Sequence, residues 1–129
     1  MDETDFTILG MLEKNSRESF VTIAKALGIT EGTVRNRVAA LVRAGKIKRF
    51  TVEFEAPFEA IVMIKASGKK GARLAAKVEE FCGNAYEISG DYDVAAVVKA
   101  VSMDDLNRKI DRIRAVKGVA STVTAVKLR

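Results

Sequence analysis

The hydrophobic positions along the chain change period near its middle. Up to Ala44 they recur at helical spacing, and beyond Pro57 they alternate as strands do. Phe6, Leu9, Met11 and Leu12 supply the apolar face of a first helix that Asp2 or Thr4 can cap. Asn15-Ser16-Arg17-Glu18 is a polar turn, Ser19 is placed as the next cap, and Phe20, Ile23, Ala24 and Leu27 form an inner stripe. That helix stops at Gly28, the residue type that closes helices in the left-handed conformation. Ile29 then turns inward, Thr30 offers a capping hydroxyl, and Val34, Val38 and Leu41 recur at i, i+4 and i+7. Two short helices, a glycine-containing turn and a small Ala24 at their approach predict a helix-turn-helix. The ordinary alternative is a helical hairpin with no further role.

After Ala44-Gly45 the pattern of Ile47, Phe50, Val52 and Phe54 predicts an extended segment, giving the N-terminal part a winged-helix-like form. Pro57, the only proline, marks a break. The expected organisation is a helix-turn-helix domain with a short linker strand over 1–53, a linker over 54–58, and a second domain over 59–129. In that second part, Ala60 to Ile64 is strand-like, Gly68-Lys69-Lys70-Gly71 is a turn, and Leu74, Val78 and Phe81 share a helical face. Tyr86 to Ser89 and Val94 to Val101 read as strands joined at Gly90-Asp91-Tyr92-Asp93. Ser102-Met103-Asp104-Asp105 has capping-box form, with Asp where Glu is usual, and opens a helix carrying Leu106, Ile110 and Ile113 inward. Val119 to Leu128 is the last strand. The fold class is α+β, with a βαββαβ order of ferredoxin-like type. Val97 and Val101 point one way and Val94, Ala96 and Val98 the other, so this strand is apolar on both faces. The two helices cover one face, and the uncovered face predicts self-association, most simply as a two-fold dimer.

Charge decides between the two readings of the hairpin. The 129 residues carry a formal charge of +5, and residues 31–50 alone carry six positive groups (Arg35, Arg37, Arg43, Lys46, Lys48, Arg49) against Glu31. A basic patch confined to the second helix and its exit is the footprint expected for a phosphate backbone, hence for double-stranded DNA. Composition also excludes whole classes of chemistry. With no His and one cysteine, Cys82, there is no His-based catalytic site, no Cys/His zinc site and no internal disulfide. No catalytic residue, metal ligand or cofactor site is expected. No apolar run reaches membrane-spanning length and the N-terminus is acidic, so a cytoplasmic protein without membrane association is expected.

On the second helix, the face opposite Val34, Val38 and Leu41 holds Gly32, Asn36, Ala39 and Arg43, with Thr33 and Ala40 at its edge. Small residues there let the helix sit deep in a major groove. Asn36 is the base-reading candidate, because its amide matches adenine N6 and N7. Arg35 and Arg37 flank the apolar stripe and reach guanine, phosphate or, for Arg37, the local structure. Arg43, Lys46, Lys48 and Arg49 are expected on the DNA backbone.

The chain resembles the Lrp/AsnC (leucine-responsive, feast/famine) family of transcription factors over nearly its whole length. The resemblance rests on Asp2 to Leu9, Arg17-Glu18-Ser19, Thr33-Val34-Arg35-Asn36-Arg37-Val38, Gly45-Lys46-Ile47-Lys48, Gly90-Asp91-Tyr92-Asp93, and Lys117-Gly118-Val119 with Thr122 and Thr124. Val42, where the family usually has Glu, and a shorter linker around Glu55-Ala56-Pro57 depart from the pattern. The resemblance implies a transcriptional regulator modulated by a small-molecule effector, usually an amino acid, bound where C-terminal domains meet. Ser89, Gly90, Asp91, Tyr92, Asp93 and Thr122 are the implied effector residues, Asp91 or Asp93 pairing with an α-ammonium. The bland alternative for the aspartates is a turn bonded to its own backbone. The expected protein partner is a second copy in a homodimer, and the sequence does not say whether dimers assemble further into tetramers or octamers. The competing readings are a DNA-organising protein of low sequence preference and a decarboxylase-like enzyme of the same architecture, whose chemistry relies on histidine.

Overall fold

The computed structural model describes residues 1–68 and 71–129. The chain forms two compact units, Met1–Phe54 and Glu55–Arg129. The first contains α1 (Glu3–Lys14), α2 (Phe20–Leu27) and α3 (Glu31–Arg43). Each start is set by a side-chain cap: Asp2, Ser19 and Thr30 accept the backbone N–H of Asp5, Thr22 and Thr33. Gly28 closes α2 at φ 68°, a conformation that costs other L-residues. Ile8, Leu12, Ile23, Ala24, Val34 and Val38 form the core, with Met11, Phe20, Leu27, Ile29 and Ile47 packed around it.

Two expectations for this unit are corrected. Phe6 does not join the apolar face of α1; it is 72% exposed, and Ile8 takes the buried position. Nor do residues 47–54 form a strand or wing. Phe50, Val52 and Phe54 alternate as a strand would, yet all three are exposed. Alternation prepares a segment for pairing, but a strand also needs a neighbour for its backbone groups, and this unit contains no sheet.

The second unit contains β1 (Phe58–Ala66), α4 (Gly71–Glu79), β2 (Asn84–Glu87), β3 (Val94–Ala100), α5 (Met103–Arg114) and β4 (Val119–Val126). The sheet order is β2-β3-β1-β4, antiparallel throughout, as the ferredoxin-like order requires. The turn expected at 68–71 falls partly on residues 69 and 70, which lie outside the described residues. α4 and α5 cover one sheet face, where Leu74, Val78, Leu106, Ile110 and Ile113 meet Ala60, Val62, Ile64, Val94, Ala96 and Val98. Ser102 caps α5, but the Asp105 carboxylate reaches back to the Val101 N–H at 3.1 Å instead of closing a box on Ser102.

The other face carries two apolar cross-strand rows. Register aligns Tyr86, Ala95, Met63 and Val123 in one row, and Asn84, Val97, Ile61 and Ala125 in the next. Tyr86, Ile61 and Val123 are each about half exposed, at 54%, 47% and 51%. A polar row bounds them, where Glu59 pairs with Lys99 at 3.7 Å and with Lys127 at 3.6 Å. No helix among the described residues is long and apolar enough to cross a membrane.

Candidate functional site

The buried stripe of Val34, Val38 and Leu41 fixes which side of α3 faces outward. Gly32, Asn36, Ala40 and Arg43 are exposed there, while Ala39 is half-buried. A Cβ built on Gly32 would meet nothing within 4 Å, so internal packing gives no reason for a glycine at this helical position. The Thr33 hydroxyl lies 2.8 Å from that of Thr30, within the cap. Asn36 has no side-chain hydrogen bond among the described residues.

The flanking arginines behave differently. Arg35 is bonded to Glu31 one turn earlier and lies 5.9 Å from the Phe20 ring centroid, over α2. Arg37 turns toward α1, its Nη1 donating to Asp2 Oδ1 and Oδ2 at 2.9 and 2.8 Å and to Asp5 Oδ1 at 3.1 Å. These bonds, with that from the Asp5 N–H, hold the Asp2 carboxyl below its ordinary value. In this structure Arg37 makes the local contact.

Past α3 the chain turns at Gly45, φ 72°, and the N–H groups of Lys46 and Ile47 reach the Leu41 carbonyl at 2.9 and 3.2 Å. Ile47 packs on the core, which places Lys46 and Lys48 on either side of an anchored residue. Arg43, Lys46 and Lys48 are exposed and make no ion pair among the described residues; Arg49 is exposed as well.

In the second unit the β2–β3 connection holds Ser89, Gly90, Asp91, Tyr92 and Asp93. Gly90 has φ 115°, where only glycine is unstrained. Ser89 and Asp91 are exposed, and Tyr92 and Asp93 half-buried. Asp93 serves the fold. Its Oδ2 accepts the Ala66 N–H at 2.7 Å, its N–H donates to the Ile64 carbonyl at 2.9 Å, and its carbonyl accepts the Ile88 N–H at 3.0 Å. The loop is thereby tied to the end of β1, and Asp91 is left as the exposed carboxylate. Thr122 pairs in register with Ile64, at that same end of the sheet, and its hydroxyl accepts the Arg114 Nε–H at 3.1 Å. The described residues contain no cluster of His, Cys, Asp and Glu able to hold a metal ion.

Sequence reasoning missed Asp2 and Asp5 as partners of Arg37. They lie 35 and 32 residues away, and only the packing of α1 on α3 brings them near. The Glu31–Arg35 pair, by contrast, joins neighbours one turn apart on the same helix, an i, i+4 contact that the charge count passed over.

Comparison with known proteins decides what this pairing of units is. The AsnC-type helix-turn-helix domain matches residues 1–42, and the Lrp/AsnC ligand-binding domain matches residues 59–129. The chain belongs to the Lrp/AsnC family of transcriptional regulators. The HTH-type transcriptional regulator LysM of Saccharolobus solfataricus is 38% identical over 134 residues, spanning 100% of this chain and 94% of LysM. LysM of Sulfurisphaera tokodaii is 40% identical, over 100% and 96% of the two chains. These Lrp/AsnC relatives are named as regulators, not enzymes. The structure of Escherichia coli AsnC superposes with a TM-score of 0.69 at 26% identity, covering 100% of this chain and 93% of AsnC. The regulator NMB0573 of Neisseria meningitidis, solved as a complex with L-Met, shares the fold at a TM-score of 0.73 and 19% identity, over 100% and 90%.

Proposed function

We propose that this Lrp/AsnC regulator reads DNA by laying α3 in a major groove, with Asn36 on the base edges and Arg43, Lys46, Lys48 and Arg49 along the phosphates. The observation that carries the reading is the outward face of α3. It presents one unengaged amide among small residues, and the exit from the helix carries exposed cations. Gly32 and Ala40 keep the groove-facing surface low, and Thr33 and Arg35 border it. The protein acts as a two-fold dimer, in which the apolar rows of the open sheet face meet their copies and two α3 helices address two half-sites. Tetramers and octamers would extend the same assembly.

The β2–β3 loop together with Thr122 is the proposed effector site, and an α-amino acid is the proposed ligand. NMB0573, by its L-Met complex, makes an amino acid the class to test first. Asp91 suits the α-ammonium, and the backbone at Gly90 suits the α-carboxylate. Ser89 and Tyr92 frame the loop, while Asp93 holds it on β1.

Selection of duplexes from a random-sequence pool tests the DNA reading. A recurrent sequence with two spaced half-sites is expected, and recovery of unrelated sequences would favour an organising role. Footprinting on the DNA upstream of the chain's own gene, with each amino acid added in turn, tests the effector. At least one amino acid should change the footprint and raise the melting temperature. If none does either, the effector proposal fails.

A further inference from the structure

Arg37 follows Asn36 on the helix proposed to read DNA, yet its guanidinium is directed back into the protein. Nη1 donates to both carboxylate oxygens of Asp2 and to Asp5 at 2.8–3.1 Å. Both acids are already fixed by the first turn of α1. The Asp5 N–H donates to Asp2 Oδ1 at 2.8 Å, and the Asp2 N–H donates to Asp5 Oδ2 at 3.3 Å. Neither carboxylate can rotate away without opening the capping box of α1. The Asp5 side chain is 16% exposed, that of Arg37 33% and that of Asp2 57%, so the group is shielded from water on its Asp5 side only.

The remaining contact between α1 and α3 is apolar, through Ile8 and Leu12 in the cluster that holds Val34 and Val38. The buried stripe of Val34, Val38 and Leu41 sets which side of α3 faces outward, but its aliphatic contacts are non-directional and leave the finer rotation of the helix to other groups. A guanidinium held by two anchored carboxylates is directional. Resting on the DNA reading above, we infer that Arg37 is a positioning residue. It locks the rotation of α3 against α1, so that Asn36, about 100° away around the helix, meets the base edges. Arg37 itself touches neither base nor phosphate.

The test compares a duplex selected by the wild-type chain with a scrambled duplex of equal length, each titrated across salt concentrations. Arg37→Met keeps the aliphatic stem and removes the guanidinium. The pair Asp2→Asn with Asp5→Asn keeps capping oxygens and removes the carboxylate charges. Each should lower the preference for the selected duplex about tenfold. Neither should change the slope of log affinity against log salt, and combining all three substitutions should add no further loss. A phosphate contact by Arg37 would instead lower that slope by about 0.9 on Arg37→Met and leave the aspartate variant neutral or tighter. That result overturns the inference. Circular dichroism confirms that each variant is folded, and if Arg37→Met unfolds, the aspartate variant carries the test alone. A wild-type chain that selects no sequence overturns the DNA reading itself, before any variant is measured.

Discussion

Three consecutive side chains on α3 meet three different fates, and only one follows from helical spacing alone. The wheel puts Asn36 outward because Val34 and Val38 must go inward, and it is exposed. Arg35 and Arg37 flank the same stripe, but their partners decide their roles, and a wheel shows only partners on the same helix. Asn36 is therefore the residue on which discrimination should depend. Asn36→Ala should reduce preference for the selected sequence by about 1–3 kcal/mol, the value of a bidentate amide–adenine pair. Lys48→Ala should weaken selected and random duplexes alike and lower the salt slope by about 0.9. Equal losses on both duplexes for Asn36→Ala would remove it as a base reader. At the loop, the residue scale is less legible. Asp91 and Asp93 are equivalent in sequence, and only the Ala66 N–H at 2.7 Å from Asp93 shows which of them the fold occupies.

Among the elements, helix starts were legible because capping is local chemistry: Asp2, Ser19, Thr30 and Ser102 each bind an N–H three residues on. The segment 47–54 was not legible, since its alternation states readiness to pair and says nothing of a partner. The cap of α1 also gives a pH dependence. Arg37 bonding, with the Asp5 N–H, depresses the folded Asp2 pKa below its ordinary value of 3.8. Folding is then favoured by the ionised form. That contribution is complete above the ordinary carboxylate range and is lost as pH falls through the depressed folded value. Thermal melts from pH 7 down to about pH 2.5 should show the wild type losing stability over the acid range. Asp2→Asn should start lower at pH 7 and converge on the wild type in acid. Parallel curves at all pH values would show that Asp2 contributes nothing through its charge.

At the scale of the whole molecule, the strand apolar on both faces was the most informative sequence feature. Val94, Ala96 and Val98 are buried under the helices, and Val97 lies in an open row with Ile61. Among the described residues of the second unit both helices lie on the buried face, so a second copy is the proposed cover for that row. Ile61→Lys tests this cleanly. Ile61 is 47% exposed in the single chain, so a lysine there can reach water and should change monomer stability by about 0.5 kcal/mol or less. In a dimer the same ammonium lies opposite an apolar row without a counter-charge, at a cost of several kcal/mol. Sedimentation at micromolar concentration should show a wild-type dimer and an Ile61→Lys monomer with unchanged circular dichroism. Affinity for a duplex with two half-sites should fall steeply for the variant, while binding to a single half-site should be preserved. A wild-type monomer would overturn the proposed dimer, and a variant that still dimerises would place the contact elsewhere. If the effector loop must meet a second subunit to form its pocket, Ile61→Lys will also abolish stabilisation by the amino acid. The loop in one copy would then be half of a site, as α3 is proposed to be half of a reader.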